Sequence, residues 1–219
     1  KFPGIFQKPD IAQIKMVFIE ARQIFISNLS ISLYTNTDIV LLGILTNNTL
    51  VGYYSGADKL LNCIKRGISA INDAIYPFIS QQFKLNYNNA IRFLRKQMFV
   101  YLLGGTIGGV VILVGSPVVI PWLLGDKYIH SIFPLQIMAF VPLIVALSNI
   151  FGYETMLPLG MEKIYSRILL LASVLNLIII VPLILFFQEN GVSMAMLITE
   201  IFVTGTMGIL LWQKHILLR

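Results

Sequence analysis

The stretch SGADKLLNCIKRGISAINDAIYPFIS, residues 55–80, decides the fold. At about 100° per residue, Asp58, Lys59, Asn62, Lys65, Arg66, Ser69, Asp73 and Tyr76 fall within an arc of roughly 120°. Leu60, Leu61, Ile64, Ile68, Ile71, Ile75 and Phe78 take the rest of the circumference. The period is helical, with one ionised flank and one apolar flank. What surrounds such a helix depends on the rest of the chain, and the rest is greasy. Hydrophobic residues make up 57% and charged residues 12%, half the charged share of an average soluble protein, which is about a quarter. Mean hydropathy is +0.81. The composition predicts an all-α integral membrane protein.

A hydrocarbon core of about 30 Å needs about 20 helical residues. Six stretches meet that need, at 16–45, 54–83, 97–124, 132–157, 166–187 and 192–213, separated by short polar turns. They are continuous apolar runs without the ten-residue alternation of an outer-membrane barrel, so helices are predicted. Domain organisation is then a lead-in at residues 1–15 and one six-helix transmembrane bundle over 16–219.

Orientation follows from the basic residues. Lys1, Lys8, Lys15 and Arg22 precede or enter the first span, and Lys84, Arg92, Arg95 and Lys96 follow the second. Lys163 and Arg167 follow the fourth, Lys214 and Arg219 the sixth. The opposite turns hold Lys127 as their basic residue beside Asp126 and Glu189. Both ends of this segment are therefore expected in the cytoplasm, facing the anionic lipids of the inner leaflet. The net charge of +6 reflects that asymmetry, and no basic patch interleaved with exposed aromatics points to nucleic acid.

The opening residues KFPGIFQKPD lack the charged, apolar and cleavage regions of a signal peptide. They read as an internal cytoplasmic loop, which predicts that this chain is the later part of a longer polytopic protein. Cys63 is the single cysteine, so no internal disulfide or cysteine metal cluster is expected. His130 and His215 stand apart, each near a membrane surface. No metal or cofactor motif emerges.

Five ionised residues on the second span make it costly to insert. Each costs up to about 2.5–3.5 kcal/mol near mid-membrane, against about 0.3–0.6 returned by each Leu, Ile or Phe. That helix must turn its polar arc toward protein or a hydrated cavity. The first span adds a thinner line of Asn28, Ser32, Thr35 and Asp38. Counted from the turn near Asn48, Asp38 and Lys59 lie at similar depth on adjacent helices, so they are predicted to pair. Lys65 and Arg66 are then the cations most available to an anionic ligand, with Lys59, Asn62, Asp73, Asp38 and Asn28 lining the same lumen. A self-neutralising structural contact would account for the same charges. Exchanging the pair, Asp38→Lys with Lys59→Asp, should restore activity where pairing alone matters.

Elsewhere, Gly104, Gly105, Gly108 and Gly109 form two overlapping small-xxx-small patterns for close helix approach. Pro117 and Pro121 are expected to end the third span, and Pro134, Pro142 and Pro182 to kink the fourth and fifth. Glu154 is expected at the cytoplasmic interface beside Lys163. Glu200 lies deeper, with Ser193 and Thr204 on its face, and is the candidate for ion coupling or for a bond to a neighbouring helix.

The run SLYTNTDIVLLGILTNNTLVGYYSGADKLLNCIKRGISAINDAIYPFIS, residues 32–80, resembles the Wzx-type O-antigen and polysaccharide repeat-unit flippases, the polysaccharide transporters of the MOP exporter superfamily. The pattern of Tyr34, Asp38, Gly43, Gly52, Tyr53, Lys59 and Pro77 carries it, and LQIMAFVPLIVALSNIFGYETMLPLGMEKIY, residues 135–165, is similar to the same family. The resemblance covers the carboxy-terminal half of a transporter of about twelve spans. It implies one half-bundle of a carrier in the bacterial plasma (inner) membrane. Its cargo would be an undecaprenyl-diphosphate-linked oligosaccharide bound for lipopolysaccharide or other surface polysaccharide, with no enzymatic step and no cofactor. It also implies a missing amino-terminal half-bundle, or a separate partner chain, as the second wall of the cavity. An ion-coupled multidrug exporter of the same superfamily would be expected to have fewer cations and a more acidic lumen. A membrane-embedded glycan polymerase or ligase would need a sizeable outer loop, and the outer turns here are short. A structural or assembly subunit would lose folding or partner binding, not transport alone, when the charges are removed.

Overall fold

The computed structural model describes residues 11–217, without side-chain detail for residues 11–21, 23, 24, 27 and 33–35. Residues 1–10 of the expected lead-in, the side chains of Lys15, Tyr34 and Thr35, and Arg219 lie outside the described residues. Every regular element among the described residues is helical.

Helix α1 (Ile11–Leu45) turns tightly into α2 (Asn48–Leu85). Asn47 makes that turn possible: its Oδ1 accepts from the amides of Thr49 and Leu50 at 3.0 and 3.1 Å, satisfying two donors that α2 would leave bare. Asn86 repeats the device between α2 and α3 (Tyr87–Leu124), accepting from the Asn89 amide. The two prolines do not end α3, which runs to Gly125 at φ 88°. Pro117 withholds the amide that would bond the Leu113 carbonyl, but Ser116 Oγ (3.2 Å) and Gln136 Nε2 (3.1 Å) donate to that oxygen instead. The helix therefore continues at little cost, as prolines in spanning helices commonly allow.

The expected fourth span is broken rather than kinked. A 3-10 turn (Asp126–Ser131) leads into α4 (Ile132–Ile137), a turn at 138–140, α5 (Val141–Phe151) and a π-helical turn (Gly152–Met156). The two parts of this pair are bent by 41°. The last two expected spans form α6 (Glu162–Gln213), which reverses direction at one residue, Gln188, held at φ 52° and ψ −128°. Asn176 Nδ2 donates to Thr199 Oγ1 across the arms at 3.2 Å, whereas an unbroken helix would hold those residues about 35 Å apart. No four-residue loop intervenes between the arms.

Among the described residues two helices, α3 and α6, are long and apolar enough to cross a membrane, and the bent pair would make a third crossing. Their apolar contacts divide into two clusters. One gathers Leu42, Tyr54, Leu61, Ile120, Met138, Ile184 and Val192 near the turns at 46–47, 125–131 and 188. The other gathers Ile79, Leu94, Ile150, Met156, Leu169, Met207 and Leu211 at the opposite end. A polar layer lies between.

The glycines of α3 split by position. A Cβ on Gly105 would come within 2.7 Å of the Leu143 side chain, and one on Gly109 within 2.5 Å of the Phe140 ring, while Gly104 and Gly108 face open space. Close approach is therefore confined to one of the two overlapping patterns. Gly109→Ala should cost about 1–3 kcal/mol by overpacking. Gly108→Ala should be neutral or stabilising by up to about 1 kcal/mol, and thermal unfolding of the two variants in detergent checks the contrast.

Candidate functional site

The polar layer is built on α2. Asp58, Asn62, Lys65 and Ser69 recur at i, i+4, i+7 and i+11, a line within roughly 40° of one direction. Asn62 Nδ2 donates to Asp58 Oδ2 at 2.7 Å, and Lys65 Nζ stands 3.9 Å from Asp58 Oδ1. Both charged side chains of that pair are about 85% shielded, with relative exposures of 15% and 14%. Burial at this depth makes the pair costly to break from one side.

Asn62, Lys65 and Ser69 open on a cavity of about 280 Å³ that Ser148 and Asn149 of α5 and Tyr165 and Glu200 of α6 complete. The sequence singled out Asn62, Lys65 and Glu200, and the fold brings these three to one cavity. Ser148 and Asn149 were missed. An adjacent Ser-Asn pair inside an apolar span was the signal that could have found them. A larger groove of about 430 Å³ between α2, α3 and α5 is lined by Ile64, Val100, the α3 glycines and Leu143. It offers hydrocarbon contact and little that could orient a polar ligand.

Asp38 does not pair with Lys59. It is 1% exposed and lies beside Asn176 of α6, in electrostatic range of Asp58 and Lys65, and neither of its oxygens reaches a hydrogen-bond donor among the described residues. Lys59 is exposed and has no ion-pair partner among them. Counting depth from the turn takes no account of the rotation of α2, on which Lys59 stands about 100° from Asp58. Lys65 accordingly faces Asp58, Glu200 and Asp38, so it is engaged by carboxylates and is not the freely available cation expected. Arg66, Lys59 and Asp73 occupy the neighbouring edge of α2 and are exposed, as is Asn28 on α1. The polar arc therefore has an inner line facing α5 and α6, shielded at Asp58, Asn62 and Lys65 and exposed at Ser69, and an outer line left open. Among the described residues, no group of three His, Cys, Asp or Glu is gathered that could hold a metal ion.

Two further expectations shift. Glu154 is fully buried and bonded to Gln97, and it makes no ion pair with Lys163 among the described residues. The apolar packing of the π-helical turn draws it inward. Lys163 instead joins Arg22 and Arg167 around a separate cavity of about 350 Å³. His130 lies against Tyr53, ring centroids 5.0 Å apart.

Residues 2–83, which hold most of α2 and all of its charged arc, match the family described as "Polysaccharide biosynthesis protein". The chain is 30% identical over 194 residues to a protein of Escherichia coli (strain K12) named "Putative O-antigen transporter". The match covers 89% of this chain and 47% of that protein. A protein of Shigella dysenteriae with the same name is 28% identical over 188 residues, covering 84% of this chain and 46% of its own length. The resemblance to the polysaccharide transporters stands. The chain spans about half the length of the curated relatives it matches. No solved structure matches it. With its long apolar helices and these relatives, the chain is a multi-pass membrane protein that is similar to the named transporters over most of its own length.

Proposed function

We propose that this chain supplies one half-bundle of a flippase that carries an undecaprenyl-diphosphate-linked oligosaccharide across the bacterial inner membrane by alternating access. The observation that carries this reading is the split arc of α2. Its inner line lies in a largely shielded polar layer, while Lys59, Arg66 and Asp73 lie exposed on the adjoining edge. An exposed row of charge on a helix of this bundle is costly against lipid and favourable against a hydrated passage. A second half-bundle, in the same protein or in a partner chain, provides the other wall. α1, α2, α3, the bent α4–α5 pair and the two arms of α6 make six passes, with both ends of the segment in the cytoplasm.

In this arrangement Arg66 and Lys59 hold the diphosphate or acidic sugars, Asn28 and Asp73 bond the glycan, and the polyprenyl tail stays in lipid. Lys65 belongs to the inner layer, where Asp38, Asp58 and Glu200 surround it. Three carboxyl groups around one ammonium suit ion coupling and give Glu200 that role. The protein acts as a carrier, with no chemical step of its own. The acidic layer favours the second reading, an ion-coupled exporter of the same superfamily, more than the sequence did. The names of the relatives and the two exposed cations favour polysaccharide export.

Complementation separates the two. Variants of the full-length transporter carrying Lys59→Ala and Arg66→Ala together should insert normally and lower surface polysaccharide at least tenfold in a strain lacking the transporter, a loss of about 1.4 kcal/mol or more. Full display by this double variant removes the cationic site.

A further inference from the structure

Gln97 of α3 and Glu154 of the π-helical turn meet at the edge of the second apolar cluster. Gln97 Nε2 donates to Glu154 Oε1 at 3.0 Å. The other oxygen of each group, Glu154 Oε2 and Gln97 Oε1, is buried and has no hydrogen-bond partner among the described residues. With an ionised carboxylate both atoms are acceptors, and two acceptors cannot satisfy each other. Leaving them so costs about 1–3 kcal/mol apiece. A protonated carboxyl carries one O–H donor. A carboxylic acid and a primary amide then have complementary edges: amide N–H to acid carbonyl on one side, acid O–H to amide carbonyl on the other. One proton on Oε2 supplies the donor that both orphaned oxygens lack.

The surroundings favour the neutral form. α3 presents Tyr101, whose hydroxyl donates to Asn72 Oδ1 of α2 at 2.6 Å. The turn itself presents Tyr153, stacked on Tyr76 of α2 at 4.5 Å and beside Asp73. α6 presents Tyr165, packed against Gly152. None of these is a cation, and Gln97 is the polar partner that faces the carboxyl directly. A carboxylate enclosed without a counter-charge is costly. The backbone here is also unusual. Leu157 N bonds the Gly152 carbonyl at 3.1 Å in the five-residue spacing of a π-turn, an arrangement that frequently marks functional sites.

We infer that Glu154 and Gln97 form a proton-binding site. Glu154 carries a dissociable proton on Oε2 and donates it to Gln97 Oε1, docking the bent α5 segment on α3. On release the O–H bond breaks, the proton passes to water, the electron pair stays on Oε2, and the contact to α3 is halved to one hydrogen bond.

Infrared spectroscopy of the purified full-length protein tests this, with matched samples in water and deuterium oxide. At about pH 7 the wild type should show a protonated-carboxyl C=O band that shifts on deuteration. Glu154→Gln, whose amide preserves both hydrogen bonds, should lose that band, and Gln97→Leu should move its frequency. Unchanged acid bands in Glu154→Gln overturn the site. Should that variant not fold, the wild type and Gln97→Leu decide. No acid band anywhere between about pH 5 and 9, or a band that Gln97→Leu leaves unmoved, also overturns it. Protonation is read directly, so the outcome does not depend on whether the protein moves glycans.

Discussion

Gly191→Ala should leave little folded protein. The reversal of α6 at Gln188 brings the second arm so close to the first that a Cβ on Gly191 would run into the carbonyl group of Leu183, and the atoms in the way are backbone. A side chain could rotate aside, but a helix carbonyl can yield only if the arms part, and parting them opens the apolar cluster around Ile184, Val192 and Ala195. Overpacking usually costs about 1–3 kcal/mol, and a clash with backbone belongs at the upper limit or above. Gly205, in the same arm, faces open space. Gly205→Ala should therefore hold or gain stability, by up to about 1 kcal/mol from helix propensity. Yield of monodisperse protein and melting temperature in detergent, measured on the pair, check the result. A Gly191→Ala protein as stable as wild type would place the reversal elsewhere.

The second large effect belongs to the shielded pair on α2. Asp58→Ala should destabilise the protein by about 3 kcal/mol, because it takes the nearest carboxylate from the Lys65 ammonium, leaving Asp38 and Glu200 in range, and removes the acceptor of Asn62. Lys65→Met alone should cost about as much, since it takes the shared ammonium from Asp58, Asp38 and Glu200. The Asp58 carboxylate keeps the Asn62 amide, and the methionine fills the volume of the lysine stem. Combining Lys65→Met with Asp58→Asn removes both charges and should recover most of the stability lost in Asp58→Ala, as replacement of buried pairs by neutral residues often does. The double variant then separates structure from function. If the layer serves transport, a stable, correctly inserted double variant still fails to restore surface polysaccharide. If the pair only holds the helices together, display returns with stability.

Much of this was legible in the sequence, and the failures share a cause. Periodicity exposed the ionised face of α2 because eight polar residues repeat at helical spacing over about five turns, a pattern that chance composition does not make. The same periodicity gave Asn62, Lys65 and Glu200 as inward residues. It could not say which neighbour each would meet, since partner choice depends on the rotation of one helix against another. Asp38 was therefore given to Lys59 when the fold sets it beside Asn176. Glu154 was hidden for a different reason. It sits in the sequence as a lone acid among apolar residues, and the π-helical turn inserts extra backbone that rotates everything after it, so no face count locates it. Gln97 gave no stripe at all. The continuation of α3 through Pro117 was equally unreadable, because it depends on Gln136, nineteen residues downstream, reaching back to a carbonyl.

The division of the apolar contacts into two clusters has a mechanical consequence. Each cluster grips its own end of the molecule, and the middle is held by several polar and charged groups that can trade one polar partner for another. Flexing is thus concentrated at mid-depth. The turn-bearing end can tilt relative to the other as a stiff piece while every greasy side chain keeps its neighbours, with Lys65, Asn62 and Asn149 re-pairing as the angle changes.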